Sequence, residues 1–429
     1  MAPSLGEING SIRVAPGAPP LRKFLAFAGP GYLVAAGYMD PGNWATAIAA
    51  GSGYGYALLC VVVSASLVAM LFQSLCARLG IGAGLDLAQA TRRQVSPRAN
   101  LGLWALAEMA VVATDLAELI GAAIALKLLF GLPLTVGVLL TALDAFLVLW
   151  LMGRGVRWVE AFVSGMIFVT AAAFAFNLAL AQPEIGALVQ GFFPRGEQIS
   201  DATLLILACG IIGATVMPHN LYLHSALAQS RSMEGDRRAA IHYASLDSTV
   251  ALGLAMLVNC SLLVLAAAAF HKEHSAVAGL EEAHALLAPV LGHALAPVAF
   301  AVALLACGVS STVTGTLAGQ VVMEGFLHLR LAPWLRRLAT RGMAIIPAIA
   351  VASWYGSDGI AKLLVASQVV LSLQLPFAML PLLRAVGSRE LMGPLVAPRW
   401  QLVLAWCAAA LVVLLNLAML ALLFSTWGN

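Results

Sequence analysis

The chain has 429 residues, of which 61% are hydrophobic and only 10% are charged. A soluble domain carries about 25% charged residues, so this composition excludes an ordinary globular protein and indicates an integral membrane protein. The net charge of +3 is small, and the positions of the positive residues along the chain are more informative than their total.

The N-terminal segment differs in composition from the rest of the chain. Its first 20 residues are polar, rich in proline and glycine, and lack an apolar core. This pattern does not indicate a secretory signal. We predict a disordered cytoplasmic tail over residues 1–23.

Apolar stretches then recur along the whole length of the chain. Each has about 18 residues or more, which is long enough to cross a bilayer as an α-helix. The loops between them are short and carry glycine, proline and charged residues. The eleven predicted spans are, in chain order, 24–50, 54–79, 101–130, 133–152, 158–181, 202–228, 245–270, 295–325, 340–356, 359–385 and 400–427.

The distribution of Lys and Arg predicts the orientation, because cytoplasmic loops of membrane proteins carry an excess of positive residues. With the N-terminus in the cytoplasm, nearly all of the 23 Lys and Arg residues lie on the cytoplasmic side. The exceptions are Lys127, Arg195, Lys272 and Lys362. We therefore expect a multi-pass protein of the cell inner membrane whose C-terminus lies outside.

Two of the predicted spans are interrupted at their middle by a proline-containing motif. These motifs are Asp40-Pro41-Gly42-Asn43 in the first span and Met217-Pro218-His219-Asn220 in the sixth. Proline inside a helix removes a hydrogen bond, and in hydrocarbon such a break survives only where it is buried or lines a cavity. The repetition of the pattern five spans apart indicates two inverted five-helix repeats, with a binding site where the broken helices face each other.

The predicted fold is therefore an all-α integral membrane protein with eleven transmembrane helices, the first and sixth of which are unwound at mid-membrane. The first five-helix repeat covers residues 24–182, and the second, inverted repeat covers residues 183–385. An eleventh helix outside the repeats lies within residues 386–429.

Asp40 is the first candidate for the binding site. An ionisable residue at mid-membrane is costly and marks a functional candidate. A structural ion pair is the alternative, but no Lys or Arg lies at matching depth in the other spans. Asn43 adds a neutral oxygen less than one turn away, and the Ala214 carbonyl, one turn before the second break, is a plausible further donor.

Met217 indicates the class of ion. Most methionines in apolar spans only pack, but this one adjoins the proline break of the sixth span. A thioether is a soft ligand that suits transition metals and offers little to Mg²⁺ or Ca²⁺. A mixed carboxylate, amide, carbonyl and thioether site predicts Mn²⁺, Fe²⁺ or a similar ion, without ranking these metals.

The third span carries three carboxylates on roughly one helix face, Glu108, Asp115 and Glu118. Three carboxylates in one span are too many for packing, and they predict a proton or cation path. His219 and His224 in the sixth span are further candidates because histidine titrates near neutral pH. A structural role is the alternative for both histidines.

Two more polar residues have two interpretations each. Arg341, near the cytoplasmic start of the ninth span, is a candidate for the end of the proton path, and snorkelling of its side chain to the interface is the alternative. Gln368 in the tenth span is a candidate oxygen ligand, and a helix–helix hydrogen bond is the alternative.

The candidate residues belong to motifs that resemble the Nramp family of divalent metal transporters. The matching stretches are Gly37–Thr46 in the first span, Thr114–Glu118 in the third, Gly213–Ser225 in the sixth and Ser367–Ser372 in the tenth. The resemblance extends over roughly residues 24 to 425. It implies a LeuT-type fold that imports Mn²⁺ or Fe²⁺ together with protons by alternating access.

The resemblance also implies roles for individual residues. The family's metal ligands match Asp40, Asn43, the Ala214 carbonyl and Met217. Gln368 matches a residue that contacts the ion in some conformations. Gly37, in the matching motif of the first span, is also among the candidate metal-site residues. The family's proton-pathway positions match Asp115, Glu118, His219 and Arg341.

Three other functions compete with metal import. An amino-acid/cation symporter on the same fold is disfavoured because Asp40 would repel a substrate carboxylate, and a Mg²⁺ carrier is disfavoured by Met217. An intramembrane metalloenzyme is disfavoured because His271-Lys272-Glu273-His274 does not match the His-Glu-x-x-His zinc motif. We expect no enzymatic activity and no resident cofactor. The expected partners are divalent transition-metal ions, protons and the lipid bilayer, with no nucleic acid.

Overall fold

The computed structural model describes residues 8–15, 17–141, 143–194, 196, 201–233, 235–271, 277, 279–329, 331 and 333–427. Nearly all of these residues are helical. The first part of the chain contains α1 (Pro20–Phe27), α2 (Pro30–Gly37), α3 (Pro41–Tyr54), α4 (Leu59–Ala83), α5 (Leu87–Gln94), α6 (Pro97–Phe130), α7 (Leu134–Thr141), α8 (Asp144–Gly153), α9 (Val156–Ala181) and α10 (Ile185–Gly191). The second part contains α11 (Ala202–Val216), α12 (Pro218–Leu227), α13 (Arg237–Phe270), α14 (Leu280–Leu291), α15 (Ala296–Leu327), α16 (Pro333–Gly387), α17 (Arg389–Met392) and α18 (Arg399–Trp427).

Nine helical segments within the described residues are long and apolar enough to cross a membrane. Two of the predicted spans differ from these nine. The first, 24–50, is divided among α1, α2 and α3, because the chain leaves the helix at Gly29, which has φ +140°, and again at Asp40. The ninth coincides with Leu338–Val351, a shorter apolar segment of α16 that precedes a non-helical Gly356. The multi-pass architecture is therefore present, and the count of eleven spans stays a prediction.

The N-terminal segment has regular structure where it is described. β1 (Ile12–Val14) pairs in parallel with β2 (Arg231–Met233), and Val14 is buried. Residues 8–23, which the composition predicts as a disordered tail, thus contain a strand and the start of α1. Residues 1–7, Arg195 and residues 272–276, which include most of the His-Lys-Glu-His cluster, lie outside the described residues.

The two proline motifs interrupt helices as the sequence predicts. Between α2 and α3, Asp40 is extended (φ −61°, ψ 162°) and its carboxylate accepts the Asn43 N–H at 2.8 Å. Between α11 and α12, Met217 has φ +23°, which few residues other than glycine adopt. Each following proline opens the next helix, where its missing N–H leaves no hydrogen bond unmade.

Close helix packing holds the two breaks inside the protein. A Cβ at Gly121 of α6 would overlap Pro41 at the first break. A Cβ at Gly213 of α11 would overlap the α16 backbone near Gln368 and Ser372. Asp40 and Met217 both have zero exposed fraction as a result. The breaks therefore lie in the protein core, as polar backbone in a membrane protein requires.

Candidate metal centre and carboxylate row

Hydrogen bonds from Asn43 connect the two broken helices directly. Its side-chain N–H₂ donates to the Tyr38 carbonyl at 2.7 Å and to the Ala214 carbonyl at 2.9 Å. The first acceptor belongs to its own break and the second to the helix before the other break. Asp40 lies in the same turn, and its second oxygen, Oδ2, makes no hydrogen bond to the described residues. Three of the predicted oxygen donors are thus adjacent.

Met217 is linked to the first broken helix through Asn220. The Asn220 side-chain N–H₂ lies 3.6 Å from the Met217 sulfur and 3.5 Å from the Val34 carbonyl of α2. Gly37 permits this approach, since a Cβ there would overlap the Asn220 amide. Packing therefore explains the glycine at position 37. Asn220, which contacts both α2 and the Met217 sulfur, orients the thioether.

Gln368 on α16 covers the start of α3. A Cβ on Gly42 would overlap the Gln368 amide group, so the two residues are in direct contact. The amide nitrogen donates to Ser367 Oγ at 3.0 Å, while Oε1 is buried and accepts no hydrogen bond from the described residues. An oxygen without a donor next to Asp40 and Asn43 is available to a cation. Among the described residues, Gln368 forms no helix–helix hydrogen bond of the kind that was its alternative role.

Other side chains satisfy the carbonyls that the first break exposes. The Tyr38 carbonyl accepts a second hydrogen bond, from the Asn259 amide at 2.8 Å. The Met39 carbonyl accepts from the Trp44 indole at 3.2 Å and from the Cys307 thiol. Sequence reasoning missed these partners. Asn259 was the most detectable, as a lone amide in an apolar span, but its partner lies 221 positions away.

His224 belongs to a polar chain on the other side of the second break. Its Nδ1 lies 2.8 Å from Gln73 Oε1, and the Gln73 N–H₂ donates to the Tyr38 hydroxyl at 2.6 Å. The amide oxygen of Gln73 can only accept, so His224 Nδ1 carries a proton. This contact supports the structural interpretation of His224, while the chain still connects α12 to the first break.

His219 faces the carboxylate row of α6. Its Nδ1 lies 3.2 Å from the Thr114 hydroxyl, and Asp115 is close enough to interact with it electrostatically. Asp115 and Glu118 are both fully buried. The Cys307 thiol lies within electrostatic reach of both Asp40 and Glu118. The predicted metal site and the predicted proton path are therefore neighbours across α15.

The remaining members of the row are ion-paired. Glu108 lies 3.0 Å from Arg336, which belongs to the predicted cytoplasmic loop between the eighth and ninth spans. Arg341 is paired with Asp144 and also donates to the Thr312 hydroxyl at 3.2 Å. Arg341 is 2% exposed and about two turns into α16, so its side chain does not snorkel outward.

One face of α15 connects these charged groups. Arg341 contacts Thr312, the Glu118 carboxylate lies over Gly315, and the Arg336 guanidinium lies over Gly319. Positions i, i+3 and i+7 share a helix face. The carboxylates of α6 and the predicted Arg341 are therefore joined by a second arginine of α16, Arg336, in a row along α15.

The donor set determines what the centre can bind. Within the described residues there is no group of three or more His, Cys, Asp or Glu side chains that could hold a metal. The predicted centre instead combines a carboxylate, amide oxygens, a carbonyl and a thioether. Such a set has little net charge and only one soft ligand, which suits reversible binding of a transition-metal ion.

Comparisons with known proteins identify the family. Residues 31–422 match the family Nramp, described as natural resistance-associated macrophage protein-like. A protein of Xanthomonas campestris named divalent metal cation transporter MntH is 56% identical over 97% of this chain and 95% of its own length. A protein of Agrobacterium fabrum with the same name is 53% identical over 97% of this chain and 91% of its own length.

Solved structures give the same assignment. The crystal structure of the Eremococcus coleocola manganese transporter, in complex with an aromatic bis-isothiourea substituted compound, matches with a TM-score of 0.88 and 41% identity. The match covers 96% of this chain and 90% of that one. Mhp1, a nucleobase-cation-symport-1 family transporter, matches with a TM-score of 0.58 at 16% identity, which shows the LeuT-type fold alone. The chain is a member of the Nramp family.

Proposed function

We propose that this protein imports divalent transition-metal cations, Mn²⁺ and Fe²⁺ foremost, by alternating access and together with protons. The observation that carries the proposal is the meeting of the two helix breaks, which places Asp40, Asn43 and the Ala214 carbonyl in one hydrogen-bonded group. The relatives named divalent metal cation transporter and the manganese transporter structure support it. The family and these relatives are transporters, so the metalloenzyme alternative is dropped.

Metal entry requires a change in the Asn43 amide. Its nitrogen now donates to the Ala214 carbonyl, and a nitrogen donor cannot ligate a cation. Rotation of the amide would direct its oxygen towards the ion and release the carbonyl as a second ligand. One side-chain movement thus converts a hydrogen bond between the two broken helices into two metal ligands.

Met217 provides the selectivity in this proposal. Its thioether is buried against Ala110, Ala113 and Leu371, so it cannot withdraw without creating a void. A hard ion such as Mg²⁺ or Ca²⁺ gains little from sulfur and must give up a water ligand to fit. A transition metal gains a covalent contribution from the same contact. This argument disfavours the Mg²⁺ carrier.

Protons would use the carboxylate row rather than the metal centre. The Cys307 thiol is within electrostatic reach of both Asp40 and Glu118, and the row continues along α15 to Arg341. Separate routes allow a proton to leave Asp40 as the metal arrives, since both compete for the same carboxylate. The energy then comes from the proton gradient.

Uptake of radioactive Mn²⁺ into proteoliposomes under an inward proton gradient tests the proposal. Asp40→Asn keeps the oxygen that accepts the Asn43 N–H but removes the charge, and it should abolish uptake. Met217→Ala should leave Mn²⁺ uptake measurable but make it sensitive to excess Ca²⁺ or Mg²⁺. Met419→Ala is the matched control, because Met419 is equally buried and packs on the other end of α11 against Leu205 and Cys209.

Three results would contradict the proposal or its account of selectivity. Full uptake by Asp40→Asn would exclude this centre as the metal site. Absence of Mn²⁺ uptake by the wild type, with uptake of Mg²⁺ or an amino acid instead, would replace the transition-metal assignment. Equal Ca²⁺ sensitivity in Met217→Ala and Met419→Ala would show that loosened packing, not the thioether, determines selectivity.

A further inference from the structure

A polar cavity of about 380 Å³ lies at one end of the helix bundle, and none of the metal-centre residues lines it. It is enclosed by the last turns of α4, the first turns of α13, the first turn of α18 and the segment 394–398. The residues that matter for its chemistry are Arg78, Arg238, His242, Ser245 and Gln401. Neither the predicted metal centre nor the carboxylate row uses any of them.

The cavity is basic, and none of the described residues that line it is acidic. Within the described part of the chain, Arg78, Arg238 and His242 form no ion pair. Asp236, the nearest acidic residue to Arg238 along the chain, caps α13 by accepting the Ala239 N–H at 2.9 Å. Two or three positive groups facing one cavity repel each other unless an anion lies between them.

Two buried polar atoms in the cavity wall also lack hydrogen-bond partners among the described residues. Arg78 donates from Nη1 to the Leu395 carbonyl at 3.3 Å, but its Nε is buried and makes no hydrogen bond to the described residues. The same holds for Oε1 of Gln401. A guanidinium held by one contact, with a second donor unused, matches the two-point binding of a phosphate. An amide oxygen without a donor matches a hydroxyl group.

The surroundings of the cavity indicate where the phosphate comes from. Each bordering helix continues into an outward-facing apolar surface: Leu67 on α4, Leu246 and Val250 on α13, and Leu404 on α18 are all exposed. Trp400 at the start of α18 is 61% exposed, and tryptophan is enriched at the membrane–water interface. The cavity thus lies at the level of lipid headgroups, directly above surfaces that contact acyl chains.

We propose that this cavity binds the headgroup of an anionic phospholipid such as phosphatidylglycerol. Arg78 and Arg238 pair with the phosphate, and His242 and Gln401 contact the ester and hydroxyl oxygens. The acyl chains lie along the apolar surfaces of α4, α13 and α18. Basic pockets between transmembrane helices recognise anionic lipids in this way. The proposal does not depend on the transported ion.

The lipid would connect two parts of the molecule. Together, α4 and α13 pack against both broken helices, and α18, which contacts α11 and α4, belongs with the segment 394–398 to the C-terminal part. A headgroup between them adds charge-assisted contacts across that boundary. Lipid composition would therefore influence the relative movement of the two parts.

Binding to the purified, delipidated full-length protein tests the proposal. Native mass spectrometry would compare retention of phosphatidylglycerol and phosphatidylcholine by the wild type and two variants. Arg78→Gln/Arg238→Gln should weaken phosphatidylglycerol binding by about tenfold or more, the effect of losing one charge-assisted contact. Arg238→Gln/His242→Gln alters only exposed side chains, so it tests the same site even if the first variant misfolds.

The matched control is Arg93→Gln/Arg98→Gln, which removes two exposed charges from the same end of the bundle but not from the cavity. It should retain phosphatidylglycerol like the wild type. An equal loss of phosphatidylglycerol in this control would show that general charge attraction accounts for the binding, and it would overturn the proposal. Retention unchanged in both cavity variants would overturn it directly. Displacement of the lipid by millimolar inorganic phosphate or glycerol phosphate would identify a soluble phosphate as the occupant and overturn the lipid assignment.

Discussion

Asn43 and Asn220 occupy equivalent positions in the two broken helices, and each donates a hydrogen bond to the backbone of the other helix. Asn43, three residues after Asp40, bonds to Ala214 at 2.9 Å. Asn220, three residues after Met217, approaches Val34 at 3.5 Å. The reciprocal arrangement is the expected result of an inverted repeat, since the symmetry that relates the breaks also exchanges their partners.

The two asparagines should differ in their effects on metal binding. Asn43→Ala removes a proposed ligand and leaves the buried Ala214 carbonyl without its donor, at a cost of about 1–3 kcal/mol in stability. Asn220→Ala keeps all proposed ligands and only loosens Met217. We expect the Mn²⁺ Kd, measured by isothermal titration calorimetry, to rise more for Asn43→Ala, while both variants melt at lower temperature.

Asn416→Ala is the control for that comparison. Asn416 is buried, makes two hydrogen bonds with Ser372 and contributes no proposed ligand. Its loss should lower the melting temperature without changing the Kd. A Kd that rises equally in all three variants would mean that stability, not ligation, determines metal binding.

Gly42→Ala should weaken metal binding by displacing a neighbour. The new Cβ would overlap the Gln368 amide, which must then move away from Asp40 and Asn43. We expect Gly42→Ala and Gln368→Ala to raise the Mn²⁺ Kd to a similar extent, and the double variant to add little because both remove the same group. Gly165→Ala, at a helical position with open space around it, should leave the Kd unchanged. Additive effects in the double variant would argue against a ligand role for Gln368.

Asp115→Asn should separate proton movement from metal movement. The replacement keeps the size of the side chain but removes the charge beside His219. We expect Mn²⁺-driven acidification of the vesicle lumen, followed with a pH-sensitive dye, to be lost while the Mn²⁺ Kd stays within about twofold. Asp201→Asn changes an exposed cap of α11, where asparagine also caps well, and it should preserve acidification. Normal acidification in Asp115→Asn would remove α6 from the proton path.

Asp86 should make the stability of the protein depend on pH. This residue lies between the spans α4 and α6, and burial raises the pKa of its carboxyl from 3.8 to about 7. The folded state therefore keeps a proton that the unfolded state releases, and stability falls as the pH rises from about 4 to about 7. Asp86→Asn, which still caps α5, should flatten this part of the profile when the melting temperature in detergent is followed against pH.

Asp86→Ala distinguishes the effect of the carboxyl proton on stability from the effect of the helix cap. It removes the acceptor for the Gln89 N–H as well as the carboxyl, so its melting temperature should lie below that of Asp86→Asn at every pH. Both variants should show the same flattened pH dependence. An unchanged slope in either would assign the dependence to another group.

The sequence predicted the helix breaks because their signal is local. A proline beside a polar residue inside an apolar stretch identifies the break, and Asp40 and Met217 lie within these motifs. The same reasoning began the first span too early, at residue 24, because the turn at Gly29 is not accompanied by a polar run.

Partners that depend on distant contacts were not predictable. Asp144 lies 197 positions before Arg341, and Glu108 lies 228 positions before Arg336. A charged residue in an apolar helix indicates that a partner must exist, but only the packing of α6, α15 and α16 determines which one. The assignment of Arg336 to a loop and of Arg341 to two alternative roles has this origin.

The parallel pairing of β1 with β2 has a mechanical consequence. β1 precedes the first half of one broken helix, α2, and β2 follows the second half of the other, α12. In an inverted repeat these two half-helices lie on the same side of the membrane. The β1–β2 pair therefore links the chain that leads through α1 into α2 with the chain that leaves α12, so we expect an opening on that side to move the two half-helices together.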